Sequence, residues 1–246
     1  MRLLILCLLL APLWVRAAEL RIATAANFYP TLLKLKQAFE PSSKDKITIV
    51  RGSSGKLYAQ IMRGAPYDLF FSADEARADQ LVRQGKSLDG KSRVYALGQL
   101  ALWKADADSS LQLREQLESG QFDKLAIANP RTAPYGRAAI QALRALELYP
   151  AIKPKLVYGE NVAQTLQFVQ SGAADLGLVA LALVNNDIYW QVEAYMHQPI
   201  KQKMLILKQS KQPQLAEKFS RFIQGPRARQ IIAADGYLLE KAPRTE

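Results

Sequence analysis

The sequence predicts an α/β protein of two lobes, each a mostly parallel sheet flanked by helices, with a cleft between the lobes. Three observations carry this. Short apolar strand candidates alternate with helical stretches along the chain. The strand–helix units are too many for one small sheet. Two β-like stretches, near Gly98–Lys104 and near Pro199–Leu207, read as crossovers that separate a first set of units, a second set and a return. The expected division is a leader over residues 1–17, one lobe over 18–99 plus 200–246, and a second lobe over 100–199.

The elements follow from local pattern. Leu20–Thr24 is a strand, and Asn27 is placed to cap a helix running to about Phe39 with Leu32, Leu33, Leu35 and Phe39 on one face. Ile47–Val50 alternates as a strand, and Ser53-Ser54 caps a helix through Arg63. Tyr67–Phe71 is a buried strand, and Asp79–Gln84 a helix stopped at Gly85. Val94–Trp103 is a long β-like stretch broken by Gly98. Leu111–Glu118 is helical, Leu125–Ile127 a strand, and Arg137–Leu148 a helix stopped by Pro150. Leu156–Tyr158 precedes a helix over Val162–Gln170 capped by Asn161. Leu176–Val179 and Met204–Leu207 are strands, and helices over Gln214–Gln224 and Pro226–Ala234 complete the chain.

Met1-Arg2, the apolar run Leu3 to Leu13, and Val15-Arg16-Ala17 read as a secretory signal peptide. Cleavage after Ala17 leaves 229 residues (246 minus 17), and the only cysteine, Cys7, leaves with the leader. The exported chain is then expected to hold no disulfide, thiol nucleophile or thiolate metal site. The net charge of +11 comes from scattered basic residues with no arm or aromatic-lined motif, so a solvated basic surface is expected and nucleic acid is not a partner. His197 stands alone, without a neighbouring metal ligand.

Four strand-to-helix turns stand out: Ala26-Asn27, Ser53-Ser54, Pro134-Tyr135-Gly136 and Glu160-Asn161-Val162. Free amides at a helix start point outward, and the helix dipole favours an anion there. By the lobe division, two turns belong to each lobe and all four can face one cleft. Asn27, Ser53 and Asn161 are also ordinary capping residues, and no single one of them signals a site. Together, amides of Asn27, Ser54, Tyr135 and Val162 with the serine hydroxyls would cage a tetrahedral dianion without a charged side chain. Gly52-Ser53-Ser54-Gly55-Lys56 is not a P-loop, because Leu57 stands where Ser or Thr is needed. Ser54 lacks the glycine elbow of a hydrolase, and Asp68, Asp74 and Asp175 suit turn and cap roles.

Two lobes joined by two strands, with helix starts on the cleft walls, resemble the hinge-closing, type II-like periplasmic binding proteins. The stretches Ala23 to Phe28, Gly52 to Ile61 and Gly64-Ala65-Pro66-Tyr67-Asp68 through Asp74 are similar to the molybdate-binding periplasmic proteins of ABC transporters. Ala133 to Gly136, Ser171 to Gly177, Gly225-Pro226 and Gly236-Tyr237 agree with them.

The resemblance implies a non-catalytic periplasmic protein that captures molybdate, and tungstate with it, and hands it to an inner-membrane permease and its ATPase. It implies a monomer without cofactor, and ligand contacts at Asn27 with the amide of Ala26, and at Ser54, Tyr135 and Val162. No residue bonds the metal directly. Ser53 joins this set through its hydroxyl. Some relatives carry a ligand-binding tyrosine where this chain has Ala180, and a side-chain donor from Asn27 is expected to replace it. The alternatives are a binder of another oxyanion such as sulfate, or an enzyme on the same scaffold.

Overall fold

Period-two alternation places two cores on the first sheet before any helix is considered. In β1 (Glu19–Ala25), Ile22 joins one core and Ala23 the other. In β3 (Leu69–Ser72), Phe71 and Phe70 divide the same way, as do Met204 and Leu205 in β10 (Ile200–Ile206). The computed structural model describes residues 19–39, 46–184 and 187–240; the expected leader lies outside them.

The structure has two lobes built on two five-stranded sheets. The first runs in the order β2 (Lys46–Gly52), β1, β3, β10, β4 (Arg93–Gly98). α1 (Tyr29–Phe39), α8 (Pro213–Gln224) and α9 (Pro226–Ala234) cover the Ile22 face. α2 (Ser54–Met62) and α3 (Glu75–Arg83) cover the other through Leu57, Ile61, Ala78 and Leu81.

The chain crosses to the second lobe at Gln99, entering β5 (Leu100–Trp103). α4 (Ser110–Ser119), β6 (Leu125–Ala128), α5 (Pro134–Ala145), the single turn α6 (Tyr149–Ile152), β7 (Leu156–Gly159) and α7 (Val162–Gln170) follow. β8 (Leu176–Ala180) and β9 (Tyr189–Gln191) complete a sheet of order β7-β6-β8-β5-β9 around one continuous core.

Both sheets are mixed, whereas the sequence suggested mostly parallel pairing. β1 pairs parallel with β2 and β3, and β6 with β7 and β8. β10 and β5 run antiparallel to both of their neighbours, because each enters its sheet from the other lobe. Boundaries also differ. Asp74 caps α3 through the amide of Arg77, so that helix starts at Glu75, four residues before Asp79. Pro134 starts α5 ahead of Arg137, since its fixed φ and missing N–H suit a first helical position. The short edge strand β9 has no counterpart in the sequence reading.

Phe28 ties the first turn to the core. Its ring lies 4.5 Å from Tyr95, 5.5 Å from Tyr237 and 5.7 Å from Phe71, centroid to centroid. Phe28→Ala is expected to lower unfolding free energy by about 3–5 kcal/mol in chemical denaturation. Leu111→Ala, at a 64% exposed position, serves as the control and changes it by less than about 0.5 kcal/mol.

Candidate functional site

Parallel pairing brings the carboxyl ends of β1, β2 and β3 to one edge of the first sheet, and those of β6 and β7 to one edge of the second. The turns leaving these edges meet in a small cavity between the lobes. Ala25, Ala26 and Asn27 line it from the first turn, and Gly52, Ser53 and Ser54 from the second. Ala133, Pro134 and Tyr135 enter from the other lobe with Asn161 and Val162, and Ala73 completes the wall. All six residues singled out in the sequence (Ala26, Asn27, Ser53, Ser54, Tyr135 and Val162) therefore line one cavity, each at most 4% exposed.

The first-turn amides sort into used and free. In α2, Lys56 donates to Ser53 Oγ and Leu57 to the Ser53 carbonyl. In α7, Ala163 and Gln164 both donate to Asn161 Oδ1, at 3.0 and 3.1 Å. In α5, Gly136 and Arg137 donate to the Ala133 carbonyl. The amides of Ser54, Tyr135 and Val162 are left without an acceptor among the described residues. Ser54 Oγ accepts from the Ala73 amide at 2.9 Å, which leaves its proton to donate. Ser53 and Asn161 act as caps whose side chains hold the turns in shape.

Asn27 differs from its expected role. It lies inside a 3-10 turn, Ala26–Phe28, and its side chain caps nothing. Its Nδ2 donates instead to Gln202 Oε1 at 2.9 Å and to the Tyr237 hydroxyl at 3.1 Å, so the side-chain donor is committed inside the protein. Its Oδ1 is buried with no hydrogen-bond partner among the described residues. Tyr95 donates to Gln202 Oε1 at 2.9 Å, and Gln202 Nε2 donates to the Tyr135 hydroxyl at 3.3 Å. Burial pushes the Tyr95, Tyr135 and Tyr237 phenols above their ordinary range, so each stays a neutral hydroxyl. Ala180 is buried in β8 opposite Leu100 and does not reach the cavity.

The sequence reading missed Gln202, Tyr95 and Tyr237. A signal for Gln202 was present, since it shares the buried row of Ile200, Met204 and Ile206 along one strand.

Charges lie beside the cavity, paired across the cleft. Asp74 binds Arg77 of its own lobe and Arg137 Nη2 of the other, the latter at 2.5 Å. Arg77 Nη2 donates to the Arg131 carbonyl at 3.3 Å, and Lys56 meets Glu160 at 2.8 Å. The Gly55 amide donates to the Thr132 carbonyl at 3.0 Å. A Cβ on Gly55 would stand 2.9 Å from that carbonyl oxygen, so the lobes close this tightly only on glycine. Asp68 and Asp175 have structural duties: Asp68 accepts from the Arg21 and Lys211 amides, and Asp175 from those of Asp123 and Lys124. The His197 ring contacts the neighbouring Gln198 carbonyl, away from the cavity.

A family model described as bacterial extracellular solute-binding protein matches residues 20–238. The chain is 38% identical to the molybdate-binding protein ModA of Azotobacter vinelandii over 231 residues, 92% of each chain. It is 35% identical to the ModA of Rhodobacter capsulatus, covering 91% of this chain and 90% of that one. Among solved structures, the Azotobacter vinelandii periplasmic molybdate-binding protein superposes with a TM-score of 0.87 at 38% identity, covering 91% of this chain and all of the other.

Asp74→Ala removes the carboxylate shared by two arginines and is expected to weaken lobe closure by about 1–3 kcal/mol. Small-angle scattering should then report a larger radius of gyration for the variant than for the wild type.

Proposed function

The chain belongs to the bacterial extracellular solute-binding protein family, and from that premise we propose that it captures molybdate between its lobes and delivers it to an inner-membrane ABC permease and its ATPase. One observation carries the choice of ligand class: a cavity between the lobes walled by helix starts from both, with no charged side chain among the described residues that line it. The names of its relatives in Azotobacter and Rhodobacter support molybdate as the ion.

Burying a dianion is costly unless nearly all its oxygens find donors. The amides of Ala26, Asn27, Ser54, Tyr135 and Val162, with the hydroxyls of Ser54 and Tyr135, serve as that donor set. Ser53 holds the second turn in place as its cap. Each contact is strengthened because the ion is charged and because closure excludes water. The ion docks on the turns of one lobe, and closure then brings in the other lobe's turns. The cross-cleft contacts of Asp74, Lys56 and Gly55 hold the closed form.

Mo–O bonds are longer than S–O bonds, so a cage fitted to molybdate leaves sulfate short of some donors. Tungstate is nearly the same size and binds as well. Hydrogen phosphate brings a proton that needs an acceptor, and a wall whose one free side-chain acceptor is the Asn27 oxygen disfavours it. The protein acts as a monomeric periplasmic binder and not as an enzyme, with residues 1–17 as its export signal.

Titration calorimetry is expected to show tight binding of molybdate and tungstate and weak binding of sulfate and phosphate. Ser54→Ala should cost about 1–3 kcal/mol of molybdate affinity. Heat with sulfate and none with molybdate would overturn the reading. Among the described residues, Tyr135 is the one titratable side chain lining the cavity, and its phenol is pushed upward. Affinity should therefore stay flat between about pH 6 and pH 9, where an unperturbed phenol is still protonated.

A further inference from the structure

We infer that Gln202 and Gly98, on the adjacent strands β10 and β4 that join the lobes, form a seat for the Tyr135 hydroxyl and make that hydroxyl a donor toward the anion. The inference rests on the oxyanion reading above, and it assigns positioning roles to two residues that do not line the cavity.

Two observations carry it. The first is space. A Cβ on Gly98 would overlap the Tyr135 hydroxyl oxygen, and would stand 2.8 Å from Gln202 Nε2 and 3.0 Å from Tyr135 Cζ. Tyr135 comes from the second lobe, so only a glycine at this point of the first sheet lets its hydroxyl arrive.

The second is polarity. Gln202 is wholly buried, and both ends of its carboxamide are used. The oxygen accepts from Asn27 Nδ2 and from the Tyr95 hydroxyl, both at 2.9 Å, which turns the nitrogen toward Tyr135. Tyr135 therefore accepts from Gln202, with the Asn27 side chain also beside its oxygen, and no hydrogen bond around it takes its own proton among the described residues. That proton is left for an oxygen of the ligand, which favours a fully ionised oxyanion over a protonated one. Through the same amide, the Asn27 turn of one lobe and the Tyr135 turn of the other are held to each other, 175 and 67 residues from Gln202 along the chain.

A double-mutant cycle read by calorimetry with molybdate tests this. Gln202→Leu should weaken binding about tenfold in the wild-type background and distinctly less when Tyr135 is already Phe, where only its hold on Asn27 is lost. Gly98→Ala should also weaken binding, and combining it with Tyr135→Phe, which deletes the overlapped oxygen, should leave affinity no worse than Tyr135→Phe alone. Equal losses in both backgrounds, as a merely structural role would give, overturn the seat.

Gln202→Glu supplies a second readout should Gly98→Ala not fold. A protonated glutamic acid keeps an acceptor for Asn27 and a donor for Tyr135, and burial favours that form. Binding should be near normal at low pH and fall as the carboxyl ionises; a loss that does not vary with pH overturns the inference. If wild-type protein gives no heat with molybdate, the ligand reading has failed. The cycle is then read with whichever of tungstate, sulfate or phosphate the wild type binds.

Discussion

Parallel strand pairing is the constraint on which the rest of this structure depends. A parallel neighbour is reached only by a crossover, and here the crossovers are helices that start where the strands end. Every such start carries amides with no partner inside the helix. Because β1 and β2 point one way in the first lobe, and β6 and β7 do so in the second, those starts collect on one edge of each sheet. Two edges set face to face produce the cavity.

A cavity walled by dipoles rather than charges places demands on what lies behind it. The buried amides and hydroxyls of Asn27, Gln202, Tyr95, Tyr135 and Tyr237 are tied to one another, and one of their oxygens, Asn27 Oδ1, is left over. Such networks hold side chains in one geometry when satisfied and are costly where they are not. Phe28 packs against two of the same tyrosines, so the apolar core of the first lobe and the wall of the cavity are fixed by the same rings. Charge is kept beside the cavity, where Arg77 of the same lobe and Arg137 from across the cleft more than offset the charge of Asp74. That arrangement lets a carboxylate stand beside the cavity without leaving an uncompensated negative charge there.

Much of this was legible in the chain, and the reasons are local. Ser53 and Asn161 cap their helices as their residue types suggest, because capping depends on a few neighbouring atoms. Asn27 shows where local reading stops. Its type and position suit a cap, yet its side chain is claimed by Gln202 and Tyr237, far away in sequence. Helix boundaries shifted for a similar reason: Asp74 caps α3 while also joining a cross-cleft ion pair, which no local pattern announces.

By itself, the sequence determined the α/β class, the places of the strand-to-helix turns and the residues at their tips, because strand period, helix period and capping are short-range properties. The tertiary structure alone decided which turns meet, that β10 and β5 enter antiparallel, and that Gly98 and Gln202 stand behind Tyr135. Those outcomes depend on contacts between segments tens to hundreds of residues apart. Whether such segments touch is settled by packing and buried hydrogen bonds.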